Sequence, residues 1–310
     1  MKTGIAAAAL LAAGCSAITP TVEVHVPSTP ETVAWGELPD GRAPVARVLQ
    51  GQTVSIDTVS HQGIINNLDP VKFFAAGGIA PQDVLQDARD IYARAKKGAG
   101  VLPELHAAPY PKIIRLDTQR RVALFAPGIE IPLVPFMGIM AVQPPQALAN
   151  TRPPGIYGGN MDFNRLTSGA SLYLPVYHAG GLFYTGDSHA VQADGEVNGT
   201  AIEASLTPVL RFVVHKGAGR TMKWPRAEDA DNYYVMGMDR DLDVAMKEAV
   251  LETIKWLGQE RGLSSADAYS LASIGVNYIV AEAVDHVLMI YGEIPKKIFS
   301  RNKPFWSGAR

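Results

Sequence analysis

Short apolar runs, cut by glycine and proline, dominate the chain. Between Thr21 and about Asp57 the segments VEVHV, VARVLQ and TVSIDTV read as strands, and KIIRL, RVALF, EIPLVPF, SLYLPVY, GLFYT, AIEASL and VLRFVVH continue the pattern between residues 110 and 215. Other stretches carry a helical period. Residues 83–97 set Val84, Leu85, Ala88, Ile91, Tyr92 and Ala95 on one stripe, which predicts a helix inserted over a β core. Leu242, Ala245, Met246, Ala249, Val250, Ile254 and Leu257 share a face of a second helix that Gly262 would close. Ser264 to Asp267 then form an S-x-x-D cap ahead of a further helical stretch, Ala268 to Val284. The pattern predicts an α+β, β-rich fold, a β-sandwich core with α/β additions and C-terminal helices. Its parts are a β-rich region over 18–215, with the helical insertion near 82–97, and an α/β region over 216–310 packed on it.

The first 17 residues differ from the rest. Met1 and Lys2 precede an apolar run from Ile5 to Leu11, and Ala12, Ala13, Gly14 and Cys15 are similar to a lipobox. Two outcomes are open: a lipid anchor at Cys15, or ordinary cleavage after Ala17. Both predict export, to the periplasm or to the membrane surface as a lipoprotein. Cys15 is the single cysteine of 310 residues, so disulfides, cysteine zinc sites and thiol nucleophiles are excluded from the mature chain. No GxSxG elbow is present for a serine route. A net charge of −2 without a basic block argues against nucleic acid as a partner. A small-molecule partner and a homo-oligomer are expected instead.

Chemistry concentrates between Gly180 and Glu203, GGLFYTGDSHAVQADGEVNGTAIE, with Asp187, His189, Gln192, Asp194, Glu196 and Glu203. Leu182 to Thr185 reads as a strand ended by Gly186, which would put Asp187 and His189 just past it. Alternation in extended backbone would point Asp187 with His189, and Asp194 with Glu196. Asn160 and Asp162 repeat the spacing upstream in GGNMD. An imidazole among carboxylates suits a divalent cation, zinc or calcium, or a metal-free acid/base site; turn-forming Asp and Gly beside a half-buried histidine is the plain structural alternative. Glu104 and His106 also sit two apart, and His178 precedes a Gly-Gly pair. None of His25, His61, His106, His178, His215 and His286 has the spacing of a second metal motif.

The segment PPGIYGGNMDFNRLTSGASLYLPVYHAGGLFYTGDSHAVQADGEVNGTAIE, with PGIEIPLVPFMGIM before it and YYVMGMDRDLDVAM after it, closely resembles the acetamidase/formamidase family. The resemblance runs, with gaps, from about Pro30 to about Phe299. It departs in three places: residues 82–115 stand where relatives carry a histidine-containing HxLTGP-like element, MIYGEIPK replaces a GxHA element, and Ala193 takes the glycine position of QGDGE. The resemblance implies hydrolysis of short aliphatic amides to carboxylate and ammonia. On that reading Asp162, Asp187, His189 and Glu203 hold the metal. Glu196 is the general base, with Asp194 next in line, and Asn160 and Gln192 orient the amide. The alternative is an exported, non-catalytic ligand-binding or structural lipoprotein that keeps the same fold.

Overall fold

The computed structural model describes residues 21–29, 31–34, 42–58, 100–106, 112, 114–146 and 151–301. The export segment with Cys15 and the helix expected over 83–97 lie outside these residues.

Two sheets carry most of the architecture. The first contains β6 (Phe136–Ala141), β7 (Gly158–Asn160), β9 (Tyr184–Val191) and β10 (Ile202–Glu203), all antiparallel, in the order β10-β9-β6-β7. The second is also antiparallel: β8 (Ser171–Tyr173), β12 (Arg226–Glu228), β13 (Asn232–Asp239), β14 (Asn277–Glu282) and β15 (Leu288–Pro295), in the order β14-β15-β13-β12-β8. Two three-stranded sheets complete the described β structure. One joins β1 (Val24–Val26) and β2 (Thr53–Ile56) to β11 (Val209–Arg211); the other is the meander β3 (Arg115–Asp117), β4 (Val122–Ala126) and β5 (Ile129–Pro132).

The sequence of β13, NYYVMGMD, explains how the layers stack. Its interior positions are buried on both faces. Tyr234, Met236 and Met238 pack in one cluster with Met137 and Met140 of β6 and with Met161 and Phe163. Tyr233 and Val235, on the alternate face, pack in another with Trp256 and Leu257 of helix α1 (Leu242–Arg261). The result is first sheet, second sheet, then helix. Gly237 lets that helix come close, since a Cβ there would lie 2.2 Å from the Ala249 nitrogen and 2.3 Å from the Ala245 oxygen. Helix α1 is capped by Asp241, which accepts from the Asp243 and Val244 amides, and it ends at the expected Gly262 with φ 70°.

Two expectations change. Helix α2 (Ser265–Gly275) is capped by Ser264 as read, but it stops at Gly275 and the chain continues as β14. Tyr278, Ile279 and Val280 explain this, because aromatic and β-branched side chains favour extended backbone in a sheet. The region after residue 215 is therefore as much strand as helix. VARVLQ forms no strand, and its end is absorbed into a turn at Gly51.

Candidate functional site

The first sheet brings the acidic residues together through its register. Glu203 on β10 and Phe136 on β6 both pair with His189 on β9, and Asn160 on β7 pairs with Ile139. Gly186 does not end its strand; β9 runs through Asp187 and His189 to Val191. Asp187 still points with His189, but through a local kink with φ 49° rather than through plain alternation. Asp162 and Glu196 also lie on left-handed backbone, with φ 42° and 41°. Such conformations cost of order 1–3 kcal/mol each for non-glycine residues and persist where the surroundings over-determine them. Three of the six non-glycine residues with positive φ among the described residues are carboxylates of this one cluster.

His189 is fully buried, with Phe136 edge-on to its ring at 5.0 Å. Its Nδ1 lies 3.8 Å from Asp162 Oδ1, and its Nε2 lies 3.5 Å from Asp187 Oδ1 and 3.4 Å from Glu203 Oε2. Ordinary N–H···O bonds fall near 2.7–3.2 Å, roughly, so these groups surround a space without closing it. Both ring nitrogens and Asp162 Oδ1 are buried without a hydrogen-bond partner. Asn160 Nδ2 donates to Asp162 Oδ2 and to Asp285 Oδ2, each at 2.5 Å. Gln192 donates from Nε2 to the Asp162 carbonyl at 2.9 Å, and its buried Oε1 has no partner.

Close packing at the floor depends on one glycine. A Cβ on Gly138 of β6 would stand 2.4 Å from Asp162 Oδ1, 2.8 Å from the Asp187 carbonyl and 2.9 Å from His189 Cε1.

Electrostatics follow from crowding. Burial, then the charge of Asp285, pushes the Glu196 carboxyl up to about 9. Burial, then the charges of Asp187 and Glu196, raises Asp162 well above the usual carboxylate range; burial also raises Asp285, against the Asp162 interaction that lowers it. Burial alone would lower the His189 pKa, but Asp187 and Glu203 at its Nε2 overcome that and lift it to about 11. Burial raises Glu282 to about 7, and its carboxylate accepts from the Val284 and Asp285 amides, fixing the turn that presents Asp285.

Ligand atoms converge within 4.8 Å in three overlapping sets: Asp162, Asp187 and His189; His189, Glu196 and Glu203; and Asp162, Glu196 and Asp285. One imidazole, buried carboxylates and unpartnered nitrogens fit a divalent cation that takes nitrogen and oxygen donors. The sets therefore gather Asp162, Asp187, His189, Glu196 and Glu203 as the sequence suggests, and add Asp285, which sequence reasoning missed. Its only local signal is a carboxylate three residues past Glu282 and beside His286, a histidine weighed on its own.

Asp194 is turned elsewhere. Its Oδ1 accepts from Asn164 Nδ2 (3.0 Å) and from the Tyr291 hydroxyl (3.1 Å), and its Oδ2 accepts from Arg165 Nη2 (2.9 Å). The shared direction expected for Asp194 and Glu196 fails because Gly195 (φ 93°) and Glu196 both leave extended backbone. His178 Nε2 lies 2.8 Å from the Pro144 carbonyl, and Glu104 is exposed in a short 3-10 turn, Pro103–His106; neither joins the cluster.

Comparison with known proteins gives a consistent picture. A stretch of 49 residues is 47% identical to a formamidase of Methylophilus methylotrophus, and one of 57 residues is 42% identical to an acetamidase of Mycolicibacterium smegmatis. These matches span 16% and 17% of this chain but only 12% and 14% of those relatives. The crystal structure of an acetamidase from Bacillus halodurans superposes with a TM-score of 0.73 at 21% identity, over 89% of this chain and 98% of that one, and so shares the fold. The profile of the acetamidase/formamidase family matches residues 146–301, which hold Asn160, Asp162 and the whole stretch from Asp187 to Asp285, and on that match the chain belongs to this family.

Proposed function

We propose that the chain hydrolyses the C–N bond of short linear amides, of formamide or acetamide type, to a carboxylate and ammonia with the help of a divalent cation. One observation carries the reading most: the buried, unpartnered nitrogens of His189 stand opposite the carboxylates of Asp162, Asp187 and Glu203 at 3.4–3.8 Å. Family membership supports amide hydrolysis as the reaction. Asp162, Asp187, His189 and Glu203 would hold the cation, with Glu196 and Asp285 in reach. When bound, such an ion polarises a carbonyl and lowers the pKa of water.

The chain's own residues account for proton movement and orientation. Glu196, buried among the ligand carboxylates, would in its ionised form take a proton from attacking water and return it to the departing nitrogen. Gln192 Oε1 offers an acceptor to the substrate N–H group. Asn160, with both described donor contacts spent on Asp162 and Asp285, serves those two carboxylates before it serves an amide. Asp194, bound to Asn164, Arg165 and Tyr291, takes no proton-transfer role in this reading.

Metal analysis of the purified protein, with an ammonia-release screen over short amides, tests the proposal. It holds if the wild type carries about one equivalent or more per chain, as expected of a multidentate buried site, and releases ammonia. Cation without ammonia release would leave the binding-module alternative. Export and a lipid anchor at Cys15 belong to the same proposal, and intact mass of the mature N-terminus decides them.

A further inference from the structure

Glu196 sits on a left-handed turn between two segments that are remote in sequence. On one side the Gly195 amide donates to the Ala281 carbonyl (2.9 Å) and the Gly195 carbonyl accepts from the Ala283 amide (3.1 Å), so the loop is stitched to the end of β14. Within the turn the Gly199 amide donates to the Glu196 carbonyl at 2.8 Å. On the other side the Val101 amide donates to the Val197 carbonyl at 2.8 Å. Gly100 approaches the same peptide so closely that a Cβ would lie 2.6 Å from the Val197 oxygen and 2.7 Å from Asn198 Cα, and its φ is 85°. The atoms in the way are backbone and cannot swing aside.

From this geometry we infer that Gly100 and Val101 are positioning residues for Glu196. They belong to the segment where the chain departs from the family resemblance, and they brace the turn carrying the base at Val197, past the Gly195 bonds that tie it to β14. A carboxylate on strained backbone needs such support: released from one side, the turn relaxes and the Glu196 side chain leaves the cluster. The inference rests on the reading of Glu196 as the base.

Gly128 supplies the control. It has the same left-handed backbone (φ 77°), but a Cβ there meets nothing within 4 Å. Gly100→Ala and Gly128→Ala therefore carry similar backbone strain, and only the first pushes on Val197. The expected result is a kcat lower by about tenfold or more in Gly100→Ala, with KM within about twofold, and near-wild-type kinetics in Gly128→Ala, because small displacements of a catalytic group cost rate steeply. Amide hydrogen exchange should rise over residues 195–199 in Gly100→Ala alone. In the unaltered protein the Val101 amide should exchange as slowly as that of Ala283, a measurement that needs no variant to fold. Equal kinetics and equal exchange in the two variants, or an unprotected Val101 amide in the wild type, would overturn the brace. A wild type inert toward every short amide would sink the proposed function instead, while the exchange data would still decide whether the turn is braced.

Discussion

Two places in the molecule bury charge, and they do so in opposite ways. Under helix α1, Arg226 has no exposed surface and meets Glu252 Oε2 at 3.0 Å, with Lys255 at 3.3 Å from the other oxygen. At the first sheet, Asp187 and Glu203 of its strands and Asp162 and Glu196 of neighbouring turns surround one imidazole, and Asp285, from the turn after β14, joins Asp162 and Glu196. The structural layer carries its own counterion. The cluster carries an excess of negative charge that desolvation and mutual repulsion turn into raised carboxyl pKa values. A buried charge that is balanced holds an architecture, whereas one left unbalanced is a standing invitation to a cation.

The contrast is most easily broken by removing one carboxylate from each region. Glu252→Ala takes the bonded carboxylate away from a fully buried guanidinium and should cost about 3–5 kcal/mol, read as a large fall in Tm. Glu196→Gln should leave the Tm of the cation-free protein unchanged or higher, because it removes a repelling acid, yet lower kcat by about 10²-fold or more with the cation retained. If both variants destabilise alike, the distinction between the two regions is wrong. His189→Ala should reduce bound cation by about one equivalent per chain and take ammonia release with it.

Acidity gives a smaller but directional effect. Glu196 is raised from 4.5 to about 9, so between those values the folded, cation-free protein holds a proton that the unfolded chain has lost. Stability from this group is complete below about 4.5, the unfolded value, and falls as pH rises through 9. His189, raised from 6.5 to about 11, acts with the same sign at higher pH. With a chelator present, Tm should fall from pH 5 to pH 9; saturating divalent cation should flatten or reverse the trend, since binding displaces those protons. A trend indifferent to the cation would remove the proposed occupant. Glu104→Ala, on an exposed turn outside both regions, should change kcat by less than about twofold.

Local signals were legible wherever the chemistry is local. Gly262 and Ser264 cap their helices as read, and the crowded span from Asp187 to Glu203 supplies most of the buried cluster without any knowledge of the fold. What sequence reasoning missed depends on pairing across distance. Strand β13 is buried on both faces, so it lacks the alternation that reveals a half-exposed strand. Asp285 arrives through the Gly195–Glu282 bridge, which no spacing within 180–203 can reveal. Asp194 was misdirected because two consecutive positive φ values, at Gly195 and Glu196, undo the period-two rule.

The bond from Asn160 to Asp285 spans 125 positions. At ribosomal rates of roughly 5–20 residues per second, Asn160 and Asp162 wait on the order of 6–25 s, and Glu203 about 4–16 s, before Asp285 is made. The cluster is thereby completed only with β14 and the turn after it, so a truncated product lacks the closing acid and the anchor of the Glu196 turn together.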